Sequence, residues 1–147
     1  MTTHILSLTY APKIPLVKSG ECTQTVRLHN PNRPKKIGDK LILHTWEGKP
    51  YRTKWDWRLE TEISALALLD WGRSIEDAQI LTQTNGILGA YESISEAELG
   101  VIAELDGIEP NWMHLAETLM KLNGLKKIDL SEWDIIRWPK PTIRSVA

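Results

Sequence analysis

The stretch Ser19–Arg27, with the sequence SGECTQTVR, decides how the chain folds. Gly20 ends a short helical segment, because glycine takes the left-handed conformation after a helix at little steric cost. The residues after it alternate in character and form a strand in which Thr23, Thr25 and Arg27 share one face. That face presents two hydroxyl groups and a guanidinium, and a loop rich in Lys and Arg follows it. We therefore expect a polar cleft beside this strand.

Alternation of apolar residues predicts most of the remaining strands. It predicts strands at His4–Leu8, Thr23–Leu28, Lys40–Trp46, Tyr51–Leu59, Ala78–Thr82 and Trp133–Trp138. His4–Leu8 is apolar on both faces, which is typical of a strand in the interior of a sheet. The run Ala65–Leu69 fits either a strand or a helix, since a short apolar run has no period that separates the two.

Helix signals come mostly late in the chain. We expect helices at Leu16–Ser19, from Ser95 to Asp106, and from Pro110 to Leu122. Ser95 and Glu98 have the spacing of a capping box, and Pro110 suits the first position of a helix. The apolar face of the last helix is expected to comprise Met113, Ala116, Leu119 and Met120.

This order of elements predicts a mixed α+β fold. Strands dominate both ends of the chain and helices are inserted late, which favours a small, mostly antiparallel β-barrel with helices packed over its openings. At 147 residues the chain is expected to form one domain, 1–147, with a frayed tail at 140–147.

The composition excludes several classes of protein. A single cysteine excludes an internal disulfide and a Cys-rich zinc site. The sequence contains no apolar run long enough to span a bilayer and no signal peptide, so we expect a cytoplasmic protein without membrane contact. Seven Trp and no Phe indicate that Trp fills core positions, and Trp55 and Trp57 are expected to face the core.

The net charge of −1 hides a strong asymmetry along the chain. Residues 1–60 contain eleven Lys and Arg against five Asp and Glu, a net +6, whereas residues 61–147 carry a net −7. A basic segment with Trp and Tyr interleaved favours a polyanionic partner such as nucleic acid. The alternative is a solvated basic loop that balances an acidic helical half.

With these residues in view, the chain resembles the ASCH family of the PUA-like superfamily. The marker of that family, Gly-x-Lys-x-x-Glu-x-Arg, matches at Gly20 and Arg27, while Cys22 stands where Lys is usual and Thr25 where Glu is usual. Further matching features, in the order of the family, are Gly38-Asp39, Ala103–Gly107 and Ile135–Trp138. Together they cover most of the chain.

The resemblance implies a PUA-like barrel that binds RNA or modified nucleotides in a cleft beside the marker strand. Some members resemble ribonucleases, and one branch comprises acetylcytidine amidohydrolases that use a Lys and a Thr of the marker strand and a carboxylate from the late helix region. Thr25 falls on that Thr, Asp106 is the best match for the carboxylate, and Cys22 occupies the position of the Lys. The candidate catalytic residues are therefore Thr25, Arg27 and Asp106.

Each candidate also has a purely structural interpretation. Thr25 suits cross-strand packing, and Arg27 suits an ion pair with Asp106. Cys22 is expected to be a buried inert thiol; the alternative is a thiolate nucleophile, which requires a neighbour that lowers its pKa.

The candidate nucleic-acid contacts are basic residues and one aromatic residue. They are Arg27, Arg33, Lys35, Lys36, Lys40, Lys49, Tyr51, Arg52 and Lys54. Tyr51 or Trp46, near a hairpin turn, is suited to stack on a base. The four His have no metal-ligand spacing, so no metal is predicted, and no sequence feature indicates a cofactor.

Three functions stay open at this point. The first is binding of RNA, of other single-stranded nucleic acid or of a modified nucleoside. The second is hydrolysis of RNA or of a nucleoside, which leaves open whether the protein is an enzyme. The third is a protein-interaction adaptor that uses the acidic helices.

Overall fold

A computed structural model of the protein describes residues 2–84, 87–88 and 91–140. The strands are β1 (Thr3–Ser7), β2 (Gln24–Leu28), β3 (Lys40–Trp46), β4 (Trp55–Glu62), β5 (Ala65–Asp70), β6 (Gln79–Thr84), β7 (Ile87–Leu88), β8 (Glu92–Ser93) and β9 (Glu132–Arg137). The helices are α1 (Ile14–Ser19), α2 (Glu96–Leu105) and α3 (Trp112–Asn123), and 3-10 turns lie at Ala11–Lys13 and Ile75–Asp77.

The smaller sheet has the strand order β1-β3-β4, with β1 parallel to β3 and β3 antiparallel to β4. β1 is therefore an edge strand, and the prediction of an interior strand is wrong. Its apolar residues do not all enter the core, since Ile5 is 55% exposed. The carbonyls of Thr3 and Ser7 accept hydrogen bonds from the guanidinium groups of Arg33 and Arg27, respectively. These side chains cover backbone groups at the edge of β1 with which another strand could otherwise pair.

The larger sheet has the order β2-β9-β5-β6, and β7 and β8 both pair with β6. β2 runs antiparallel to β9, with Thr25 opposite Ile136 and Arg27 opposite Asp134. The ambiguous run Ala65–Leu69 is a strand, β5, because it pairs with both β6 and β9 in the middle of this sheet.

Each face of the larger sheet buries a separate core. One face packs against α2 and α3, with Val26, Trp133 and Ile135 among the sheet residues in that core. The other face packs against the smaller sheet and α1, through residues such as Leu43 and Ile136. Since Val26 enters the first core, the next residues along β2, Thr25 and Arg27, point toward the smaller sheet.

Local signals explain where the helices begin and end. α1 ends at Gly20, whose φ of 82° is left-handed, and α3 ends in the same way at Gly124. α2 begins with the predicted capping box, in which Ser95 accepts from the backbone N–H of Glu98 and the Glu98 side chain accepts from that of Ser95.

The predictions for α3 and for Trp55 and Trp57 are confirmed in part: Ala116, Leu119 and Trp57 lie as expected, whereas Pro110, Met113 and Trp55 do not. The N-cap of α3 is Asn111, whose side chain accepts from the backbone N–H of Met113, so Pro110 lies before the helix. Met113 is exposed, and the buried face consists of Leu115, Ala116 and Leu119. Trp57 packs against the inter-sheet core, but Trp55 is 37% exposed. A register shift between Thr45 and Trp46 brings Trp46 opposite Trp55 and alters the alternation there.

The mixed α+β class is confirmed. Within the described residues, the strands form two sheets and no closed barrel. The helices α2 and α3 cover one face of the larger sheet rather than the openings of a barrel. In the same ranges no helix has the length and apolar character needed to cross a membrane. Of the predicted frayed tail 140–147, all but Lys140 lies outside the described residues.

Candidate functional site

A cavity of about 380 Å³ lies where β1, β2, the first 3-10 turn and the ends of α2 and α3 meet. Thr25, Arg27 and Asp106 all line it, so the three candidate catalytic residues lie together. A third charged residue, Lys13, lines the same cavity from the 3-10 turn.

Lys13 and Asp106 form a buried ion pair in the floor of the cavity. The Lys13 Nζ donates to Asp106 Oδ1 at 2.9 Å, and each side chain is about 95% buried, with 6% and 5% exposed. Pro12 sets the 3-10 turn that carries Lys13, and Asp106 caps the C-terminal end of α2. The pair therefore ties the segment before α1 to the end of α2, across 93 residues of sequence.

Arg27 spans the gap between the two sheets. Its Nη2 donates to the Ser7 carbonyl at 2.6 Å, and its Nε donates to Thr25 Oγ1 at 3.1 Å. The planar guanidinium is thereby fixed in one orientation, with its remaining N–H groups free of these two contacts. Thr25 is buried, and because its oxygen accepts from Arg27, its hydroxyl hydrogen is left to donate.

Burial and mutual charge shift the pKa values of all three ionisable groups. Burial lowers the pKa of Lys13, and the nearby charge of Arg27 lowers it further, while Asp106 opposes the shift. Burial raises the pKa of Asp106, and Lys13 and Arg27 oppose that rise. Burial also lowers the pKa of Arg27, but a guanidinium stays protonated at neutral pH. Two cations thus share one carboxylate, which leaves an excess of positive charge in the cavity.

Cys22 lies behind this floor as a buried thiol. Its Sγ lies 3.2 Å from the carbonyl oxygen of Leu105 and 3.4 Å from that of Gln24, and its single S–H donates to one of the two at a time. Burial raises the pKa of the thiol, although the contact with Gln24 and the charge of Lys13 oppose that rise. A raised pKa disfavours the thiolate, so burial and this shift together support the expected inert thiol at Cys22.

Tyr51 stands at the mouth of the cavity, on the turn between β3 and β4. Its ring is 87% exposed, and its φ of 63° is left-handed, which is uncommon for a residue other than glycine. Such a backbone conformation costs about 1–3 kcal/mol and is concentrated at functional sites.

Aromatic residues continue from Tyr51 along the hairpin. The Trp46 ring centroid is 5.2 Å from that of Tyr51 and 4.9 Å from that of His44. His44 stacks on Trp55 at 3.9 Å. Burial, together with the charge of Arg27, lowers the pKa of His44 from 6.5, so the imidazole is neutral at pH 7.

Apart from Arg27, which lines the cavity, the predicted basic residues fall into two separate groups. Lys49, Arg52 and Lys54 are exposed on the turn next to the cavity mouth. Arg33, Lys35, Lys36 and Lys40 lie at the other end of β1, because Lys40 pairs with Thr3 whereas the cavity begins at Ser7. The four residue steps from Thr3 to Ser7 along β1 separate these two ends by about 13 Å.

Most residues of the second group, at the start of β1, already contact other protein groups. Lys35 Nζ and His29 Nδ1 both contact the buried carboxylate of Asp134 at 2.9 Å. Lys40 lies 3.8 Å from Glu60, and Arg33 donates to the backbone of β1. The structure therefore does not bring this group to the cavity.

Asp39 anchors the basic loop to the start of β1. Its carboxylate accepts from His4 Nε2 at 2.9 Å and from the backbone N–H groups of Lys36, at 3.0 Å, and Thr2, at 3.4 Å. Burial alone would raise the pKa of Asp39, but these hydrogen bonds outweigh it and lower the pKa below the ordinary 3.8.

Lys13 is the residue that the sequence did not indicate as part of the site. It follows Pro12 in a short turn, and no sequence pattern links it to Asp106, which lies 93 residues away. In the described ranges, no three His, Cys, Asp or Glu side chains are grouped so that they could hold a metal ion. Searches with the chain against protein-family models, curated proteins and solved structures find no match.

Proposed function

We propose that the cavity binds a ribonucleotide unit, either within single-stranded RNA or as a modified nucleoside, as the resemblance to the ASCH family implies. The observation that carries this proposal is the grouping of Lys13, Arg27 and Thr25 around one carboxylate in a cavity with an exposed Tyr51 at its mouth.

The hydrogen-bonding capacity of the cavity favours a ligand rich in acceptors. Arg27 uses two of its five N–H donors within the protein, and Lys13 uses one of three on Asp106. The hydroxyl of Thr25 is also free to donate. Phosphate oxygens and the acceptor edges of bases meet these donors, and Arg binds both in a bidentate manner.

The excess positive charge favours the same ligand. Lys13 and Arg27 face one carboxylate, and the turn at the mouth adds Lys49, Arg52 and Lys54. Contacts of this kind attract a phosphate backbone without reading its sequence. The exposed ring of Tyr51 supplies a surface for stacking, which contributes roughly 1–3 kcal/mol per base.

Titration of labelled single-stranded RNA by fluorescence anisotropy tests this function. Binding is expected at 50 mM salt and is expected to weaken at 200 mM salt, because phosphate contacts release counterions. Arg27→Gln should abolish most of the affinity, whereas Arg73→Gln, at an exposed arginine away from the cavity, should change it little. Absence of binding at low salt, or equal binding by Arg27→Gln and the unmodified protein, contradicts the proposal.

A second candidate function is hydrolysis, and the position of Lys13 favours it. The amidohydrolases of the resembled family combine a Lys, a Thr and a carboxylate, and here Lys13, Thr25 and Asp106 line one cavity although Lys13 comes from a different segment. The lowered pKa of Lys13 makes a neutral amine more accessible, and a Thr hydroxyl needs such a base to become a nucleophile.

Incubation with acetylcytidine and with RNA, followed by chromatography of the products, tests hydrolysis. Activity that is lost in Thr25→Val and in Lys13→Met supports this site. Activity that survives Thr25→Ala, Arg27→Ala and Asp106→Ala shows that the chemistry lies elsewhere. The adaptor alternative stays a prediction, and recovery of a bound protein after nuclease treatment is its test.

A further inference from the structure

Four rings form a continuous row on the hairpin of β3 and β4. In order they are Tyr51, Trp46, His44 and Trp55, which we name the aromatic row. Successive centroids are separated by 5.2, 4.9 and 3.9 Å. The guanidinium of Arg58, which also contacts Glu60, lies over Trp55 at 5.7 Å and closes the row.

The aromatic row is not arranged as a core would be. Its two outer rings face water, with Tyr51 87% and Trp55 37% exposed. Two of its buried polar atoms, His44 Nδ1 and Trp46 Nε1, have no hydrogen-bond partner among the residues that the structure describes. Tyr51 also holds a left-handed backbone conformation that glycine would adopt more easily. A cluster that served stability alone would bury its outer rings and pair these atoms.

The row begins where the cavity ends, because Tyr51 belongs to both. The turn 47–54 beside it carries three exposed cations, Lys49, Arg52 and Lys54, against one carboxylate, Glu47. Exposed aromatic rings next to flexible cations are the surface on which unpaired bases stack while the backbone lies along the charges.

We propose that the aromatic row is a stacking platform for single-stranded nucleic acid, which continues the strand whose first nucleotide occupies the cavity. This inference rests on the proposed function. Tyr51 takes the base next to the cavity, and the base after it stacks on Trp55 in place of the Arg58 guanidinium.

The platform selects single strands over duplexes. Bases of a duplex are already stacked and paired and cannot splay onto side chains, and side chains do not reach base edges in the deep groove of double-stranded RNA. The ligand that fits the cavity and the row together is therefore a single strand of three nucleotides.

The test is a series of ligands of increasing length, measured on the full chain by fluorescence anisotropy and by quenching of Trp emission. The series comprises a mononucleotide, a dinucleotide, a trinucleotide, a tetranucleotide and a duplex that contains the same sequence. Affinity is expected to rise at each step up to three nucleotides and to change little at the fourth. The duplex is expected to bind more weakly than the tetranucleotide.

Variants of the outer rings separate stacking from charge. Trp55→Leu should lower the ratio of trinucleotide to mononucleotide affinity roughly 5- to 150-fold, the range that one stacked base supplies. Tyr51→Gly removes the other ring without loss of stability, since glycine relieves the left-handed backbone. Tyr51→Phe should retain the affinity, and Tyr91→Ala, at an exposed tyrosine outside the row, should leave it unchanged.

The outcomes distinguish this inference from the proposed function. A mononucleotide that binds with an affinity that does not grow with length overturns the platform and keeps the cavity. An unchanged ratio in both Trp55→Leu and Tyr51→Gly, or a duplex that binds as well as the single strand, also overturns the platform. If no nucleotide or oligonucleotide binds, both proposals fail. Binding of a protein to the row in place of nucleic acid overturns the platform as well.

Discussion

Replacement of Asp106 by Asn isolates the electrostatics of the cavity. Asp106 is the one carboxylate among the described residues that line it, and it faces both Lys13 and Arg27. The Asn variant keeps the shape but leaves two buried cations without a counter-charge. In Lys13→Met, by contrast, the carboxylate of Asp106 still has Arg27 beside it. We therefore expect the loss of Asp106 to destabilise the protein more than the loss of Lys13.

The structure sets the size of the effect. The two side chains are about 95% buried and their atoms are 2.9 Å apart, and removal of one partner from such a pair costs about 3–5 kcal/mol. Asp106→Asn is expected to fall in this range, and Lys13→Met to cost at least about 1 kcal/mol less. For a domain whose free energy of unfolding is about 5–15 kcal/mol, the first change removes a large share of the stability.

Urea unfolding followed by Trp fluorescence at pH 7 measures these differences. With a slope near 2 kcal/mol per molar urea, the midpoint of Asp106→Asn should fall by about 2 M. The double variant Lys13→Met/Asp106→Asn completes a cycle that yields the coupling energy. Glu60→Gln is the control, because its two partners, Lys40 and Arg58, are both exposed, and exposed pairs contribute at most about 1 kcal/mol each. A cost below about 1 kcal/mol for Asp106→Asn, or a larger cost for Lys13→Met, refutes an arrangement in which one buried carboxylate balances two buried cations.

Three further changes have defined outcomes. Gly107→Ala should destabilise by more than Gly124→Ala and also weaken RNA binding. Both positions have a left-handed φ, worth about 1–2 kcal/mol, but only the Gly107 methyl would crowd a neighbour, Leu16 Cδ1 at 3.3 Å, and touch Lys13, at 3.5 Å. Equal losses in thermal unfolding and binding would contradict this. Asp39→Asn should destabilise at pH 7 by about 1.5–3 kcal/mol. Because the folded pKa of Asp39 is lowered, its contribution is complete above pH 3.8 and is lost as the pH falls through the folded pKa, so the difference in urea midpoint should vanish in acid. Ser95→Ala should cost about 1 kcal/mol without changing RNA affinity, as calorimetry and anisotropy can show.

Local chemistry explains what the sequence could predict. Gly20 and the capping box of Ser95 and Glu98 act within a few residues of themselves, so their roles are readable before any fold is known. The alternation along β2 is equally local, and it places Thr25 and Arg27 on one face, as predicted.

Contacts between distant segments account for what the sequence could not predict. The parallel pairing that leaves β1 at an edge depends on which strand lies beside it, and the apolar pattern of His4–Leu8 is compatible with either position. Lys13 reaches Asp106 across 93 residues. The separation of Lys40 from the cavity follows from the register of β1 on β3, which has no counterpart in the charge pattern. A closed barrel likewise depends on pairings between strands that local patterns do not specify.

The rate at which Cys22 is alkylated reports on motions of the cavity floor. Cys22 is the single cysteine of the chain, and its thiol is sealed between β2 and the last carbonyl of α2. An alkylating reagent can reach the sulfur only when the contact between Cys22 and the end of α2 opens. The rate of labelling under native conditions therefore measures how often α2 moves away from β2. A small molecule that binds at Asp106, the residue that follows Leu105, should keep this contact closed and slow the labelling of Cys22.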